Sequence, residues 1–484
     1  MVKKNTAQIL TLILVFGLLL RLLFFIGVTS GDDLGYYQFA YELTQGKFNP
    51  AADYHSVRIG LIYPTALFYK LFGINEFTSN LLPLITSISF ILLIFYLGRE
   101  MFDERTGLIA AFLLSFFPLH VFYSTVLFPD LPSAFFVGLG VFLFFKAEHK
   151  KLNINYLACG VCIGIAYLMK ELSVLIFIFF VIHILYTKSS KKEHILILLG
   201  FLIIFSIETT YYTIMTSNPL YRYEVANLQQ AYITKTFHYN YLANLPSRLF
   251  LHYPYILLTE IGKFFYVPIL FSIVYLTLKK NKKILPSLFW IVPIFIYLNF
   301  GSSSLTEYIP LPVGTRYTDI ITAPSLLILG YFLSQNEPLI KRYIKPAVIL
   351  ILLISSIYLM YVYKQKDPLN PLRDAKHYLE LMPQKKVYTD QRSAEILKYL
   401  FGYKRNSITI SYNNYDVFKD ENTVLNLSNL HDVYVIVNNG MINALLDVYT
   451  KMEFPKDIHN PPNNWIVVET YGAGEDKLVI YYAK

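Results

Sequence analysis

Residues 8–37 read QILTLILVFGLLLRLLFFIGVTSGDDLGYY, and this stretch decides the class of fold. Its apolar part carries one charged residue, Arg21, and is long enough for a membrane-spanning helix, which needs about 20 apolar residues. The run follows Lys3 and Lys4 and lacks a clear A-x-A cleavage site, so we interpret it as a retained signal anchor. An acidic pair, Asp32-Asp33, and two tyrosines follow it directly.

The whole chain has the composition of a membrane protein. Of 484 residues, 55% are hydrophobic, 17% are aromatic and only 15% are charged, whereas soluble proteins contain about 25% charged residues. These values exclude a disordered, fibrous or disulfide-stapled protein. The net charge of +9 does not indicate nucleic-acid binding, because the Lys and Arg residues form short clusters between apolar runs.

Apolar runs predict a polytopic α-helical membrane protein of about eleven spans. The runs lie at 8–28, 78–98, 106–122, 131–146, 155–170, 172–187, 195–214, 264–278, 284–300, 318–334 and 346–363. A long amphipathic stretch, 29–77, and a polar, aromatic-rich loop, 215–263, separate some of them. The sequence therefore divides into a transmembrane domain, 1–364, and a C-terminal domain, 365–484.

The distribution of positive charge predicts the orientation of the spans. Lys and Arg concentrate in every second short loop, for example at 188–192 and 279–283. Because such loops face the cytoplasm, we expect a multi-pass protein of the cell membrane with a cytoplasmic N-terminus. The segments 29–77 and 215–263 and the C-terminal domain are then extracytoplasmic.

The C-terminal domain has the pattern of a soluble α/β fold. Short alternating segments predict strands at 386–388, 407–410 and 433–437 and a closing hairpin from 465–468 and 478–481. Residues 392–401 and 441–449 have the pattern of helices. The domain contains no Walker, Rossmann or zinc motif.

Charged residues at the ends of the predicted spans concentrate on the outer side. They suggest a polar cavity there, because ionisable groups at membrane depth are costly and mark functional sites. The set comprises Asp32, Asp33, Asp130, Lys170, Glu171, Glu208, Glu260, Lys263, Glu307, Arg316 and Asp319.

Structural explanations stay open for several of these residues. Arg21 has the alternatives of snorkelling outward and of lining a cavity. Glu208 and Glu260 could each pair with a neighbouring cation for purely structural reasons. The sequence Lys170-Glu171 could simply mark the end of a helix. Asp32-Asp33 would also serve as a helix N-cap pair, a role compatible with catalysis. We interpret Cys159 and Cys162, which lie within an apolar run, as small packing residues.

The segment 31–37, Gly-Asp-Asp-Leu-Gly-Tyr-Tyr, opens an ordered set of motifs. This set resembles the GT-C glycosyltransferases, most closely the protein O-mannosyltransferase and aminoarabinose transferase group, and Asp33 stands in place of the Glu of the acidic motif of that group. The segments that resemble further family motifs are 58–64, 72–76, 98–107, 127–130, 168–171 and 315–317 followed by Pro324. The likeness covers about residues 8–335. A His-Pro-Pro type motif is not intact, because the corresponding region reads His55-Ser56-Val57-Arg58.

The resemblance implies an inverting transferase that takes a sugar from a polyprenyl-phosphate donor, dolichyl or undecaprenyl, at the outer membrane face. The acceptor would be a hydroxyl on a protein, a lipid or a glycan. An attacking hydroxyl needs a base, and we assign that role to Asp32, with Asp33 and Asp130 in the catalytic group. The leaving phosphate needs fixed cations, for which Arg58, Lys170 and Arg316 are the candidates.

The remaining predicted site residues are assigned to the substrate cleft, and they are Tyr36, Tyr37, Tyr63, Glu171, Glu307 and Tyr317. No cofactor is certain. A divalent cation held by Asp32 and Asp130 is left open, since carboxylate oxygens suit such ions and metal dependence varies across the superfamily. The alternative function is a polytopic transporter or lipid-linked glycan flippase, because charged groups at helix ends also gate pathways. A non-catalytic receptor or assembly subunit is a third class.

Overall fold

Helix α1 (Lys4–Leu23) begins a bundle of apolar helices. The computed structural model describes residues 4–150, 153–236, 262–302, 308–309, 311, 314–406, 408–416, 421–449 and 451–484. After α1 the chain forms α2 (Asp32–Thr44), α3 (Ile59–Phe72) and the one-turn α4 (Glu76–Ser79). The bundle continues through α5 (Leu81–Met101), α6 (Glu104–Ser115), α7 (Pro118–Tyr123), α8 (Asp130–Lys150), α9 (Asn153–Met169), α10 (Ile176–Thr187), α11 (Ile195–Thr216), α12 (Tyr221–Thr236), α13 (Lys263–Leu278), α14 (Leu285–Phe300), α15 (Asp319–Ser334) and α16 (Lys345–Gln365).

The helices confirm a multi-pass membrane protein. In the described ranges, 7 helices are long and apolar enough to cross a membrane, and shorter apolar helices lie at 59–72, 153–169, 171–187 and 264–278. The predicted span at 106–122 is divided into α6 and α7. Pro118 opens α7, and proline disfavours helical backbone in the residue before it. Within the segment 29–77, α3 is an apolar helix that the prediction of an amphipathic stretch missed.

Helices α9 and α11 pack in close contact through two glycines. A Cβ atom on Gly160 would lie 1.9 Å from the Ile197 carbonyl oxygen, and one on Gly200 would lie 2.2 Å from the Leu157 carbonyl oxygen. Small residues allow membrane helices to approach in this way. Cys159 and Cys162 beside this contact are buried and form no disulfide, in agreement with their interpretation as packing residues.

Arg21 lies inside the bundle and neither snorkels outward nor lines the candidate site. Its guanidinium donates to the carbonyl oxygens of Gly17 (2.8 Å) and Ser115 (2.9 Å) and to the Ser87 hydroxyl (2.7 Å). It also contacts Nδ1 of His120 at 3.0 Å. These bonds connect four helices, α1, α5, α6 and α7, because a buried guanidinium requires partners for its donors.

The C-terminal domain contains a mixed sheet with helices packed against it. Its elements are α17 (Asn370–Leu381), β1 (Val387–Thr389), α18 (Gln391–Leu400), β2 (Thr409–Ser411), β3 (Asn413–Asp416), β4 (Glu421–Val424), β5 (Val433–Asn438), α19 (Asn439–Val448), β6 (Trp465–Tyr471) and β7 (Leu478–Ala483). The sheet order is β2-β1-β5-β7-β6, with β1 parallel to both neighbours and β7 antiparallel to both of its own. The predicted strands, the two predicted helices and the closing hairpin are confirmed. The β3-β4 hairpin and α17 were not predicted.

The C-terminal domain packs on α2. The ring of Tyr37 stacks on that of Tyr399 at a centroid distance of 4.5 Å, and Tyr41 stacks on Tyr403 at 4.2 Å. The Tyr399 hydroxyl also donates to the Ser79 hydroxyl at 2.8 Å. Each aromatic pair contributes about 0.5–1.5 kcal/mol beyond its buried area. We call the end of the bundle that carries α2, α3 and the C-terminal domain the domain side.

Candidate active site

Asp32 opens helix α2 on the domain side and faces two cationic side chains. Its Oδ2 accepts a hydrogen bond of 3.1 Å from Nη1 of Arg316, and its Oδ1 lies 3.6 Å from Nε2 of His55. The side chain keeps 37% of its surface exposed. Asp32 therefore combines fixed charged partners with access for a ligand, which suits a group that takes up a proton.

Asp33 holds the turn that precedes α2. Its buried carboxylate accepts hydrogen bonds from the N–H groups of Thr29 (2.7 Å) and Gly31 (2.8 Å) and from the Thr29 hydroxyl (3.0 Å). Burial raises the pKa of Asp33, and these hydrogen bonds oppose the shift. Because all these contacts are to its own loop, Asp33 fixes the turn that leads into Asp32, and its place in the catalytic group stays a prediction.

The charges of Asp32 and His55 depend on each other. Burial alone would raise the pKa of Asp32, but the hydrogen bond to His55 and the positive charges of Arg316 and His55 lower it below the ordinary value. For His55, burial acts downward, while hydrogen bonds to Asp32 and Asp53 raise the pKa to about 9. Near neutral pH, Asp32 is therefore an anion and His55 is a cation.

The stability that His55 confers should decline with rising pH. A histidine whose pKa is raised on folding stabilises the fold fully below its unfolded value of about 6.5, and we expect the contribution to be lost as pH rises through about 9. The gap in unfolding temperature between the wild type and His55→Gln should therefore be widest in mild acid and should narrow through about pH 9. His431→Gln, at an exposed histidine bonded to the Lys484 carbonyl, is the matched control. A difference in unfolding temperature that grows with rising pH would contradict the pairing of His55 with Asp32 and Asp53.

Arg316, Tyr317 and Lys170 form a layer of cations and an aromatic ring. The 3₁₀ turn Thr315–Thr318 before α15 carries the first two, and Lys170 follows α9. The Lys170 ammonium lies 4.0 Å above the centre of the Tyr317 ring and forms an ion pair with Asp130. The Arg316 guanidinium lies 5.4 Å from the same ring. The ring therefore contacts both cations, an arrangement that aromatic faces stabilise.

A chain of ion pairs with two buried arginines lies near this layer. Nη1 of Arg58 lies 2.5 Å from one oxygen of Glu171, and Nε of Arg222 lies 2.8 Å from the other. Arg222 also bonds Glu208 at 2.6 Å, so the structural alternative for Glu208 is confirmed. Both arginine side chains are almost fully buried, and buried charges require such partners. Arg58, a predicted phosphate ligand, is thus already paired with a carboxylate.

A cavity of about 310 Å³ with both charged and apolar lining residues lies between these groups. Arg58, Lys170, Glu171 and Tyr317 line it, together with residues of α9, α12 and α14. Four of the predicted site residues therefore share one cavity wall. Its mixture of cations, a carboxylate and tyrosine rings suits a ligand that carries both charge and hydroxyl groups.

Several buried polar atoms near this cavity have no hydrogen-bond partner within the described part of the chain. They include Nε of Arg58, Oδ2 of Asp130, Oγ of Ser173 and both carboxylate oxygens of Asp319. Buried polar atoms are normally paired, and each unpaired one calls for an explanation such as a bound ligand or water. A polar ligand that reaches this region would supply partners for them.

An apolar groove of about 500 Å³ runs beside the layer of cations. Helices α13, α14 and α15 form its walls, and Thr318 lies in its lining two residues after Arg316. The exposed side chains of Val267 and Leu270 lie in the same lining. The groove therefore offers an apolar channel that lies next to a fixed positive charge.

The predicted tyrosines have different surroundings. Tyr36 is buried, and its ring packs against His55 with the ring centres 5.5 Å apart. Tyr37 is fully buried between α2 and the C-terminal domain, and its hydroxyl donates to Asn80. Tyr63 is exposed and bonds Tyr211 on the outer surface of the bundle. Neither Tyr37 nor Tyr63 lines the cavity described above, so their assignment to the substrate cleft stays a prediction. Glu307 and Glu260 lie outside the described residues.

Sequence reasoning missed three residues of this region as site residues. His55 was noted only as a departure from a family motif, although its place three residues before Arg58 pointed to the loop that faces Asp32. Arg222 lies in a polar segment that carries no motif, so nothing in the sequence indicated its bonds to Glu171 and Glu208. Asp319 was placed on the outer side but received no role.

The residues present do not fit a divalent cation held by Asp32 and Asp130. In the described ranges, no group of three or more His, Cys, Asp or Glu side chains has the arrangement of a metal site. Asp32 faces Arg316 and His55, and Asp130 faces Lys170. A metal ion would have to displace these cations, so we derive no step that uses one.

A protein-family model matches part of the chain. The model of the family described as dolichyl-phosphate-mannose-protein mannosyltransferase matches residues 59–211, the region from α3 to α11 that includes Arg58's neighbours, Asp130 and Lys170. A protein of Aquifex aeolicus (strain VF5), described as uncharacterized, is 24% identical over 343 residues, which are 69% of this chain and 73% of that protein.

Solved structures share the fold over almost the whole chain. The crystal structure of ArnT from Cupriavidus metallidurans in the apo state has a TM-score of 0.59 at 14% identity and covers 98% of this chain and 97% of its own. The same protein bound to undecaprenyl phosphate has a TM-score of 0.56 at 13% identity, with 97% of each chain covered. The Archaeoglobus fulgidus oligosaccharyltransferase has a TM-score of 0.52 at 14% identity and covers 98% of this chain and 73% of its own.

These likenesses confirm the predicted GT-C type of fold, including a small sheet domain after the bundle. The family model covers about a third of the chain, so it extends this likeness to part of the membrane bundle. The identities are low, so the roles of individual residues rest on the geometry described above.

Proposed function

We propose that the chain is an inverting glycosyltransferase that moves a sugar from a polyprenyl-phosphate donor to an acceptor hydroxyl. The observation that carries the proposal is the contact between Asp32 and Arg316, with an accessible carboxylate 3.1 Å from a guanidinium. Tyr317 and Thr318, which follow Arg316 in the chain, line the cavity with charged residues and the apolar groove, respectively. A lipid-linked sugar phosphate needs all of these features.

The names of the relatives support this donor class. The matching family is described by a dolichyl-phosphate-linked sugar, and one ArnT structure contains undecaprenyl phosphate. In both names the lipid is a polyprenyl phosphate. We therefore assign this class of donor and leave the sugar open, with a protein, lipid or glycan as the acceptor.

Asp32 is the general base in this proposal. The acceptor hydroxyl donates its proton to the Asp32 carboxylate while its oxygen attacks the anomeric carbon of the sugar. The bond from that carbon to the phosphate oxygen breaks, and attack from the opposite face inverts the configuration. General-base catalysis of this kind accelerates reactions by about 10²–10⁴-fold.

Arg316 stabilises the phosphate that leaves. A charge-assisted bond from a guanidinium to phosphate is strong in a site that excludes water. Lys170 supports the same charge from across the Tyr317 ring. Arg58 acts mainly through Glu171, because both its buried position and its ion pair fix it in place.

The apolar groove holds the isoprenoid chain. Its lining comes almost wholly from apolar side chains of α13, α14 and α15, and Thr318 places it next to Arg316. Burying an apolar chain there contributes about 0.8 kcal/mol for each CH₂ group. The donor would then lie with its tail in the groove, its phosphate at Arg316 and its sugar toward Asp32.

A transfer assay in purified membranes tests this function. Membranes that contain the protein are incubated with radiolabelled polyprenyl-phosphate sugars, and label is followed into protein, lipid and glycan fractions. Transfer that depends on the expressed chain would support the proposal. Failure of every donor would reject the enzyme function and favour the transport alternative.

The active face is proposed to be extracytoplasmic, and cysteine labelling tests this. The positive-inside pattern predicts that a cysteine at exposed Asp447 reacts with an impermeant reagent in intact cells, whereas one at exposed Lys192 does not. The native cysteines are buried, so their background should be low. Labelling of Lys192→Cys with protection of Asp447→Cys would invert the orientation.

A further inference from the structure

Residues 26–31, which we call the connecting segment, join α1 to Asp32. The segment is irregular, so its backbone polar groups need partners outside a helix or sheet. Its N–H groups donate to Thr125, Glu76 and Asp33. These N–H groups thus find their partners in Thr125 after α7, in Glu76 of α4 and in Asp33 of α2.

The carbonyl groups of the connecting segment are bound by the C-terminal domain. Nη2 of Arg373 donates to the carbonyl oxygens of Ile26 (2.9 Å) and Val28 (3.2 Å). Nε of Arg392 donates to the Ser30 carbonyl at 3.0 Å, and its Nη2 reaches the Gly31 carbonyl at 3.5 Å. Two arginines from one domain therefore bind four of the six carbonyl groups of the segment directly before Asp32.

Both arginines are themselves fixed by carboxylates. Glu76 and Asp367 bind Arg373, and Glu395 binds Arg392 at 2.7 Å. Glu76 also accepts a hydrogen bond of 3.1 Å from the N–H of Val28. Arg373 is therefore connected to the segment both directly and through Glu76. A planar guanidinium held in this way directs its remaining donors along fixed lines.

The backbone of the connecting segment requires such support. Gly27 has φ +87° and Ser30 has φ +63°. Left-handed backbone at a residue other than glycine costs free energy and persists only where surrounding contacts maintain it. For Ser30, the bond from Arg392 to its carbonyl is one of those contacts.

Helix α18 reaches both ends of this arrangement. Arg392 lies in its first turn against Ser30, and Tyr399 lies in its last turn, stacked on Tyr37 of α2. The same helix therefore contacts the residues just before Asp32 and the helix that Asp32 begins.

We infer that Arg392, assisted by Arg373, is a positioning residue for the catalytic base, so that the C-terminal domain is part of the catalytic unit. This inference rests on the proposed function of Asp32. Displacement of a base by about 1 Å can reduce turnover about 100-fold, which makes a contact of this kind important for the reaction.

The test compares Arg392→Gln with Arg392→Lys and with Arg405→Gln. Arg405 is the matched control, because it donates to the Leu379 carbonyl at 3.0 Å within the C-terminal domain. Amide hydrogen exchange of residues 26–34 is measured in the full-length protein, together with transfer at saturating donor and binding of undecaprenyl phosphate.

In Arg392→Gln we expect exchange of residues 26–34 to rise about tenfold and turnover to fall about 100-fold, with undecaprenyl phosphate binding unchanged. Arg392→Lys should recover part of both, since its ammonium can still donate to a carbonyl. Arg405→Gln should change neither.

Unchanged exchange of residues 26–34 in Arg392→Gln would overturn the inference. So would equal loss of turnover in Arg405→Gln, because it would indicate general damage to the domain. If no donor supports transfer in the wild type, the proposed function fails, while the exchange measurement still decides whether Arg392 positions the segment.

Discussion

Asp32→Asn is expected to reduce transfer by about 10²–10⁴-fold, the range attributed to a general base. Asn has nearly the same size as Asp and retains an oxygen that can accept a hydrogen bond, so the turn and α2 should persist. The amide cannot take up the proton of the acceptor hydroxyl. The loss should therefore appear in turnover rather than in folding.

Binding of undecaprenyl phosphate separates this explanation from a general loss of function. Arg316 donates to Asp32 at 3.1 Å, so the neutral amide removes a competitor for the guanidinium. We expect Asp32→Asn to bind undecaprenyl phosphate as tightly as the wild type or more tightly. Weaker binding would contradict the role of Asp32 as a base that does not contact phosphate.

Two variants in the same helix control for local effects. Glu42→Gln removes a carboxylate whose contact is with Gln38 at 2.9 Å on the same helix, and it should leave transfer unchanged. Asp33→Asn should be milder than Asp32→Asn, because an amide oxygen can retain part of the hydrogen bonding to Thr29 and Gly31. Near-normal turnover in Asp32→Asn would remove Asp32 as the base.

The bundle and the sheet could be predicted because their signals are local. A run of about 20 apolar residues predicts a membrane-spanning helix, and a short alternating segment predicts a strand, without reference to distant residues. The strand at 433–437 is one example, since β5 (Val433–Asn438) is buried along its whole length. The break at Pro118 was missed because the apolar run continues across it, although proline ends the helix.

The pairing of charges in the site could not be predicted, since it depends on distant segments. Arg316 and Asp32 are 284 residues apart, and Arg392 and Ser30 are 362 apart. Sequence reasoning placed these charges on one side of the membrane but could not assign a partner to each cation. Arg58 illustrates the result, because its ion pair is with Glu171, 113 residues away in the chain, and its assignment as a phosphate ligand stays a prediction.

Arg316→Gln is expected to weaken undecaprenyl phosphate binding by about ten- to a hundredfold. A hydrogen bond to a charged group contributes about 1.5–3 kcal/mol, and each 1.4 kcal/mol corresponds to a factor of ten. Turnover should fall as well, since the phosphate becomes more negative as it leaves. Arg316→Lys retains the charge and should recover part of the binding.

Arg105→Gln is the matched control for this variant. Arg105 is an arginine at the start of α6 that donates to Asn336 at 2.8 Å, away from the cavity. The binding of undecaprenyl phosphate and the transfer of label are measured for both variants. Equal binding by the wild type and Arg316→Gln would exclude Arg316 as the phosphate ligand.

The same variant also tests how donor binding activates the base. Arg316 lowers the pKa of Asp32, and a carboxylate with a low pKa is a weak base. If the donor phosphate takes the guanidinium away from Asp32, the pKa of Asp32 rises when the donor is bound.

The acid limb of kcat should then lie at higher pH than the acid limb of kcat/KM, because the two profiles report the bound and free enzyme. In Arg316→Gln the pKa of Asp32 is already higher in the free enzyme than in the wild type. The acid limbs of kcat and kcat/KM should therefore coincide in this variant. Limbs that coincide in the wild type would mean that Arg316 stays on Asp32 throughout the reaction, and Lys170 would then be the cation that meets the phosphate.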